Sequence, residues 1–213
     1  MGIGAAVRRA AGPLEPVLSD TYRAFFFDID GFASKLGELE ADSPIREVVE
    51  IGAGEGALVS RLVLRLPKAH LIGIDTTARV GRQCSGHWSR VEFLQVTAPV
   101  LASQRPNAAD LVVLCDVLHH VQPRDLREVL ASAAALLKPG GRLVVKEWLQ
   151  QPSPVYWLGW ASDRFITGDR IMYRGRESWL HVISDAAPQL ELVHEWRLAP
   201  WSCNHAFVLR APP

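Results

Sequence analysis

Between residues 47 and 146, short apolar runs rich in β-branched residues alternate with stretches of helical period. The runs are VVEI at 48–51, LIGI at 71–74, VEFLQV at 91–96, LVVL at 111–114 and LVV at 143–145. Parallel strands covered on both faces need continuous apolar runs of this kind. Of the helical stretches, 57–66 lines up Leu58, Val59, Leu62 and Leu66. The stretch 123–137 lines up Leu126, Val129, Leu130, Ala133, Ala134 and Leu137, with Pro123 in its first turn and Pro139-Gly140-Gly141 as its stop. Repeated strand–helix–strand units predict a doubly wound α/β fold with right-handed crossovers. Beyond 147, residues 176–187 read as a helix, and 190–197 and 204–210 as strands near enough to pair. The expected architecture is a mostly parallel seven-stranded sheet with helices on both faces and an antiparallel strand pair at one edge.

The ends differ from this rhythm. Residues 1–18 show little periodicity, and 19–40 read as one or two short helices that Ser19 or Asp20 can cap. Asp42-Ser43-Pro44 closes this segment, because the residue before proline avoids helix. The expected division is an N-terminal helical arm or lid at 1–44 and one domain at 45–213. Residues 148–175 carry prolines, glycines and many aromatics and interrupt the alternation.

Composition narrows the class of partner. Lys+Arg and Asp+Glu both total 23, so no basic excess favours nucleic acid. Cys84, Cys115 and Cys203 lie far apart without CxxC spacing, which indicates reduced thiols and neither a zinc cluster nor a disulfide scaffold; no metal site is expected. The start lacks a secretory apolar run, and no stretch of about 18 apolar residues exists to span a membrane. A cytoplasmic protein without a membrane partner is expected; oligomeric state stays open.

The strongest local motif is Val48-Val49-Glu50-Ile51-Gly52-Ala53-Gly54-Glu55-Gly56, an apolar strand running into three glycines and a helix. Glycine lets the backbone turn tightly and lets a ligand approach it closely. The helix start adds free N–H groups and a positive dipole end. Twenty-three residues after Gly52, at the end of the second strand, stands Asp75, whose carboxylate suits the paired hydroxyls of a ribose. Gly52-x-Gly54-x-x-Ala57 satisfies the dinucleotide pattern GxGxxG/A, and the same residues satisfy the ExGxGxG turn of S-adenosylmethionine (SAM) enzymes. The turn alone leaves both cofactors open.

Two further motifs follow in order. Residues 110–121, DLVVLCDVLHHV, form a strand that ends in a polar turn; residues 136–145, LLKPGGRLVV, form a helix end, a tight turn and a strand. With the glycine turn and Asp75, they resemble the class I SAM-dependent methyltransferase family, over roughly 45–147 by motif and 176–210 by topology. The resemblance implies SAM as cofactor and methyl transfer to a small, partly apolar acceptor. Residues 45–147 would form the SAM-binding half and 148–213 the acceptor-side half. It implies that Glu50 and the turn of Gly52, Ala53, Gly54 and Gly56 face the methionine part of SAM. Asp75 would bind the ribose, with Thr76 beside the adenosine. Thr97 and Ala98 would lie near the adenine, where many relatives carry Asp at the position of Thr97. Cys115 and Asp116 would border the cofactor at the end of the fourth strand. Two rival readings are a nicotinamide-dependent (NAD(P)) oxidoreductase, which the glycine turn alone favours, and a non-catalytic SAM-binding partner protein.

Methyl transfer needs an aligned acceptor and exclusion of water; a fixed catalytic motif is not required. Candidate bases are His119, His120 and Glu147; the competing readings are helix capping or packing for the histidines and a solvated strand end for Glu147. Six of seven tryptophans lie between 148 and 201. Trp148 and Tyr173 are candidate acceptor walls, Tyr22 with Phe25-Phe26-Phe27 a candidate lid, and Arg164, Arg170, Arg174 and Arg176 a basic cluster able to hold an acidic acceptor. The competing readings are ordinary core, a helix packed on the sheet, and a solvated mixed loop.

Overall fold

The structure, a computed structural model, describes residues 24–84, 86, 89–162, 164 and 171–213. The expectations for 1–18, Ser19, Asp20, Tyr22 and Arg170 lie outside the described residues. Seven strands form one sheet: β1 (Glu47–Ile51), β2 (His70–Asp75), β3 (Val91–Gln95), β4 (Ala109–Cys115), β5 (Leu137–Trp148), β6 (Glu191–Arg197) and β7 (Asn204–Arg210). Their order is β3-β2-β1-β4-β5-β7-β6. β7 alone runs against its neighbours, pairing antiparallel with both β5 and β6. The order reverses between β1 and β4, and the crevice outside the strand ends at such a switch point is where open α/β sheets bind ligands.

Among the described residues the main helices are α1 (Ile29–Glu38), α2 (Ala57–Arg65), α3 (Ala98–Gln104), α4 (Pro123–Ala135), α5 (Pro154–Ser162) and α6 (Arg176–Ala186). α1 and α2 cover one face through Phe32, Leu36, Leu58 and Leu62. α3, α4 and α6 cover the other through Leu101, Leu130, Trp179 and Ile183. Both faces of the central strands are therefore dry, which is why Val112, Val113, Leu143 and Val144 are all fully buried and read as unbroken apolar runs.

Three elements differ from expectation. α4 ends at Ala135, and Leu137 begins β5 instead of closing the helix. Lys138-Pro139-Gly140-Gly141 is a bulge inside β5, set against the step from Ala109 to Leu111 on β4, with Gly140 at φ 72°. Pro154–Ser162 is helical although its residues show no amphipathic period; Tyr156 packs near Tyr173 and Gly159 lies against Trp148. α1 is capped by the Asp28 carboxylate, which accepts from the Gly31 amide. Among the described residues, no helix is long and apolar enough to cross a membrane.

Candidate active site

The glycine turn is strained in a way only glycine relieves. Gly52, Gly54 and Gly56 adopt φ of 77°, 50° and 85°. A Cβ on Gly52 would come within 2.4 Å of Val117, so this glycine also lets β1 and the turn after β4 approach each other. A Cβ on Gly54 would meet nothing nearer than Asp75 Oδ2 at 4.0 Å, so open space adjoins the turn there. The Gly52 and Ala53 amides both donate to Ile74 O, at 2.8 and 2.9 Å, which fastens the turn to the end of β2.

Asp75 is half-buried at that strand end. Its Oδ2 accepts from the Gly54 amide at 2.9 Å and its Oδ1 from the Thr77 amide at 2.8 Å. The carboxylate thus shapes the turn and keeps further lone pairs for a ligand. Thr76 is exposed beside it. Thr97 is exposed at the start of α3 and makes no capping bond with its side chain, while the Ala98 side chain is buried in the core. Glu50 is buried within β1.

At the end of β4 the chain turns through Asp116, at φ 56°. Burial, with the Asp116 carboxylate beside it, pushes the Cys115 thiol well above its ordinary range, so this cysteine stays protonated and unreactive. Lys146 is fully buried; its ammonium donates to Asp116 Oδ2 at 2.5 Å and lies 3.9 Å from the Phe27 ring centroid. Asp116 Oδ1 is buried without a hydrogen-bond partner. Open space at Gly54, a clamped Asp75 and an anionic oxygen at the end of β4 fit a cofactor that carries both ribose hydroxyls and positive charge, as SAM does.

The expected bases converge. Glu147, 0% exposed, accepts from the amides of Leu118 at 2.7 Å and Val117 at 3.2 Å through Oε1. Its Oε2 lies 2.6 Å from Nδ1 of His119, which is 4% exposed. An ionised carboxylate only accepts, so a neutral His119 ring held by an ionised Glu147 carries its hydrogen on Nδ1 and its basic site on Nε2. His120 is exposed, with its ring 4.1 Å from that of His119. Glu147 is therefore no solvated strand end, and His119 is the more deeply held of the two histidines. Asp116, His119 and Glu147 bring metal-type ligand atoms within 4.8 Å of one another, although no metal site is expected from the sequence. Lys146 already offsets the charge of Asp116, and His119 and two amides occupy Glu147.

The aromatics divide. Trp148, Tyr156 and Cys203 form a small cluster with Phe26, Tyr173 and Trp201 packed on it. Tyr173 stands 5.2 Å from His119 and 5.7 Å from Tyr156, ring to ring, and Met172 N donates to His119 O at 2.9 Å. Trp179 and Trp196 belong instead to the two sheet cores, and Trp157 is exposed. Phe25–Phe27 is tied across the aromatic cluster. Trp201 Nε1 donates to Phe25 O at 2.6 Å, Asn204 Nδ2 to Phe26 O at 2.7 Å, and Asp28 N to Ala199 O at 3.0 Å. Arg164 is exposed.

Sequence reasoning passed over Lys146, Asn204 and His205. His205 lies opposite Glu147 across the β5–β7 pair and is 5% exposed, with its Nδ1 3.9 Å from Glu195 Oε1; burial pushes its pKa down, so it stays neutral near pH 7. Only the strand register, hidden until β7 is known to insert beside β5, brings it next to the dyad.

Residues 49–143 match the family model described as a methyltransferase domain. An uncharacterised methyltransferase of Mycobacterium bovis is 28% identical over 162 residues, covering 73% of this chain and 79% of the relative. An O-methyltransferase family protein of Burkholderia thailandensis has a solved structure that superposes with a TM-score of 0.72 at 19% identity, covering 99% of this chain. The chain spans 63% of that protein's length. The 1,6-didemethyltoxoflavin N1-methyltransferase of Burkholderia thailandensis, solved with its acceptor and S-adenosylhomocysteine, superposes with a TM-score of 0.69 at 16% identity over 98% of this chain and 88% of that one.

Proposed function

We propose that the chain is a class I SAM-dependent methyltransferase that methylates an O–H or N–H group on a small planar aromatic molecule, with His119 as general base. The observation that carries this reading is the buried His119–Glu147 pair at 2.6 Å, directly beneath Tyr173. SAM, when bound, supplies a methyl carbon already activated by positive sulfur. What remains for the protein is alignment, drying and the fate of the acceptor's proton.

Each task has a residue. Glu147 fixes the ring of His119 and its tautomer, so Nε2 can take the acceptor's proton while Nδ1–H stays on the carboxylate. The imidazolium so formed is stabilised by the Glu147 charge and then loses its proton to water. Phe26, Trp148, Tyr156, Tyr173 and Trp201 offer rigid apolar walls to a flat ring. The Phe25–Phe27 segment is fastened to the same cluster by bonds from Trp201 and Asn204. The neighbour solved with bound 1,6-didemethyltoxoflavin is an N-methyltransferase of a small molecule, which agrees in kind. Asp75 would hold the ribose, the glycine turn and Asp116 the methionine end, and Thr97 the adenine edge.

The test is release of S-adenosylhomocysteine with a panel of phenols and aromatic N-heterocycles. His119→Ala should lower the maximal rate by about 10²–10⁴-fold, the usual worth of base catalysis, and leave SAM affinity within a few-fold. Equal rates in His119→Ala and the native protein would overturn the base. SAM binding without turnover on any panel member would favour the non-catalytic partner.

A further inference from the structure

We propose that Arg174 anchors a carboxylate on the acceptor, so that the substrate is an aromatic acid; this rests on the reading that the acceptor lies against Tyr173 and His119. Of the basic residues on this side, Arg164 is exposed, and Arg176 is committed to Glu195 at 2.7 Å and to Glu177. Arg174 differs. Among the described residues it has no carboxylate partner, its one side-chain bond is a long one to Ser178 Oγ at 3.3 Å, and its Nε is buried without a partner. Its guanidinium lies 5.7 Å from the ring centroid of Trp179, a residue 0% exposed whose indole N–H is also buried and unpartnered.

Arg174 immediately precedes Gly175, the cap of α6, an 11-residue helix. Its cap, Gly175, makes no side-chain hydrogen bond, and a Cβ there would meet nothing within 4 Å. A helix start adds unsatisfied amides and positive potential. A guanidinium without a carboxylate partner beside an uncapped helix start that borders open space supplies donors, and a planar carboxylate is their complement. The segment is also held in register with the dyad. Met172 N donates to His119 O at 2.9 Å, and Gln150 N donates to Arg174 O at 2.9 Å, so Arg174 follows directly on the tyrosine that faces His119.

The experiment compares hydroxybenzoic acids with their carboxamides, which keep the ring and hydroxyl but remove the charge. Binding to the full protein with S-adenosylhomocysteine is read by calorimetry, and methylation with SAM is read separately. The acids should bind about 10- to 100-fold tighter than the amides, the range for a charge-assisted hydrogen bond. Arg174→Gln should remove that preference by raising Kd and KM for the acid with kcat little changed, and Arg174→Lys should restore part of it. Acids that bind tighter than amides but are not methylated would leave the anchor standing and sink the proposed reaction. Methylation of acid and amide alike, equal loss of both in Arg174→Gln, or binding of neither would overturn the anchor.

Discussion

Asp75→Asn, usually the gentlest substitution of an aspartate, should here be nearly as damaging as Asp75→Ala. Both carboxylate oxygens already accept a backbone amide, Gly54 N at 2.9 Å and Thr77 N at 2.8 Å. An asparagine has one acceptor oxygen, so its NH₂ must face one of those N–H donors. The turn then loses one charge-assisted bond, gains a donor–donor contact, and offers the ribose a neutral group. Hydrogen bonds to charged groups are worth about 1.5–3 kcal/mol each, and about 1.4 kcal/mol is tenfold in affinity. Asp75 is half-buried, so the lower part of that range applies. The expected loss is about 10- to 30-fold in affinity for SAM and equally for S-adenosylhomocysteine, which carries the same ribose. Calorimetric titration of both variants, with circular dichroism to confirm folding, measures it. Affinity within threefold of the native protein in a folded Asp75→Asn would refute the reasoning, because the carboxylate would then serve neither the turn nor the nucleoside.

Three other outcomes follow from particular contacts. Asp110 accepts from Arg46 N, Glu47 N and Lys138 Nζ, all at 2.8 Å. Burial acts to raise its pKa, but Lys138 and the two amides outweigh it and hold the carboxylate below its ordinary value. Its stabilisation is therefore complete above the unfolded pKa of about 3.9 and is lost as pH falls through the lower folded value. Urea denaturation should show Asp110→Asn destabilised by about 1–2 kcal/mol at pH 7, with the gap closing below about pH 4; an unchanged gap would be contrary. Lys146→Met leaves Asp116 unpaired at 34% side-chain exposure and should cost about 2 kcal/mol, less than a fully buried pair, while adding Asp116→Asn should recover much of it. A double variant no more stable than the single one would contradict this. Tyr173→Ala should raise KM for the acceptor and leave SAM affinity within a few-fold, whereas matched losses would erase the division between cofactor and acceptor halves. Tyr173 serves better than Trp148, whose burial against Gly159 and Phe26 makes its removal a folding defect of about 3–5 kcal/mol.

How much of this was legible in the sequence depended on whether the signal was local. VVEI–GAGEG could be read because strand burial and positive φ leave direct marks in residue type: β-branched residues, then glycine. The Lys138–Gly141 bulge could not, because proline and glycine mark a turn whether it joins two elements or interrupts one. α5 was hidden because Pro154, Gly159 and its aromatics argue against a helix by propensity, and contacts with Trp148 and Tyr173 override them. At the site, His119, His120 and Glu147 were visible as three separate candidates. That two of them form one buried unit depends on β4 and β5 being adjacent and in register, with Cys115 opposite Lys146. Lys146 gave no local signal, since the Phe27 ring and Asp116 carboxylate that hold it are 119 and 30 residues away.

The most direct measurement of the base assignment is the single-turnover rate of Glu147→Gln with two phenolic acceptors at one pH. One acceptor stays protonated; the other, a nitro-substituted phenol, is already ionised. The glutamine keeps the shape and one acceptor oxygen for the Leu118 and Val117 amides, but its NH₂ faces Nδ1 of His119 and moves the ring hydrogen to Nε2. The account predicts a fall of about 10²–10⁴-fold with the protonated phenol and little change with the ionised one, which has no proton to give. Equal losses with both acceptors, or no loss with either, would contradict it.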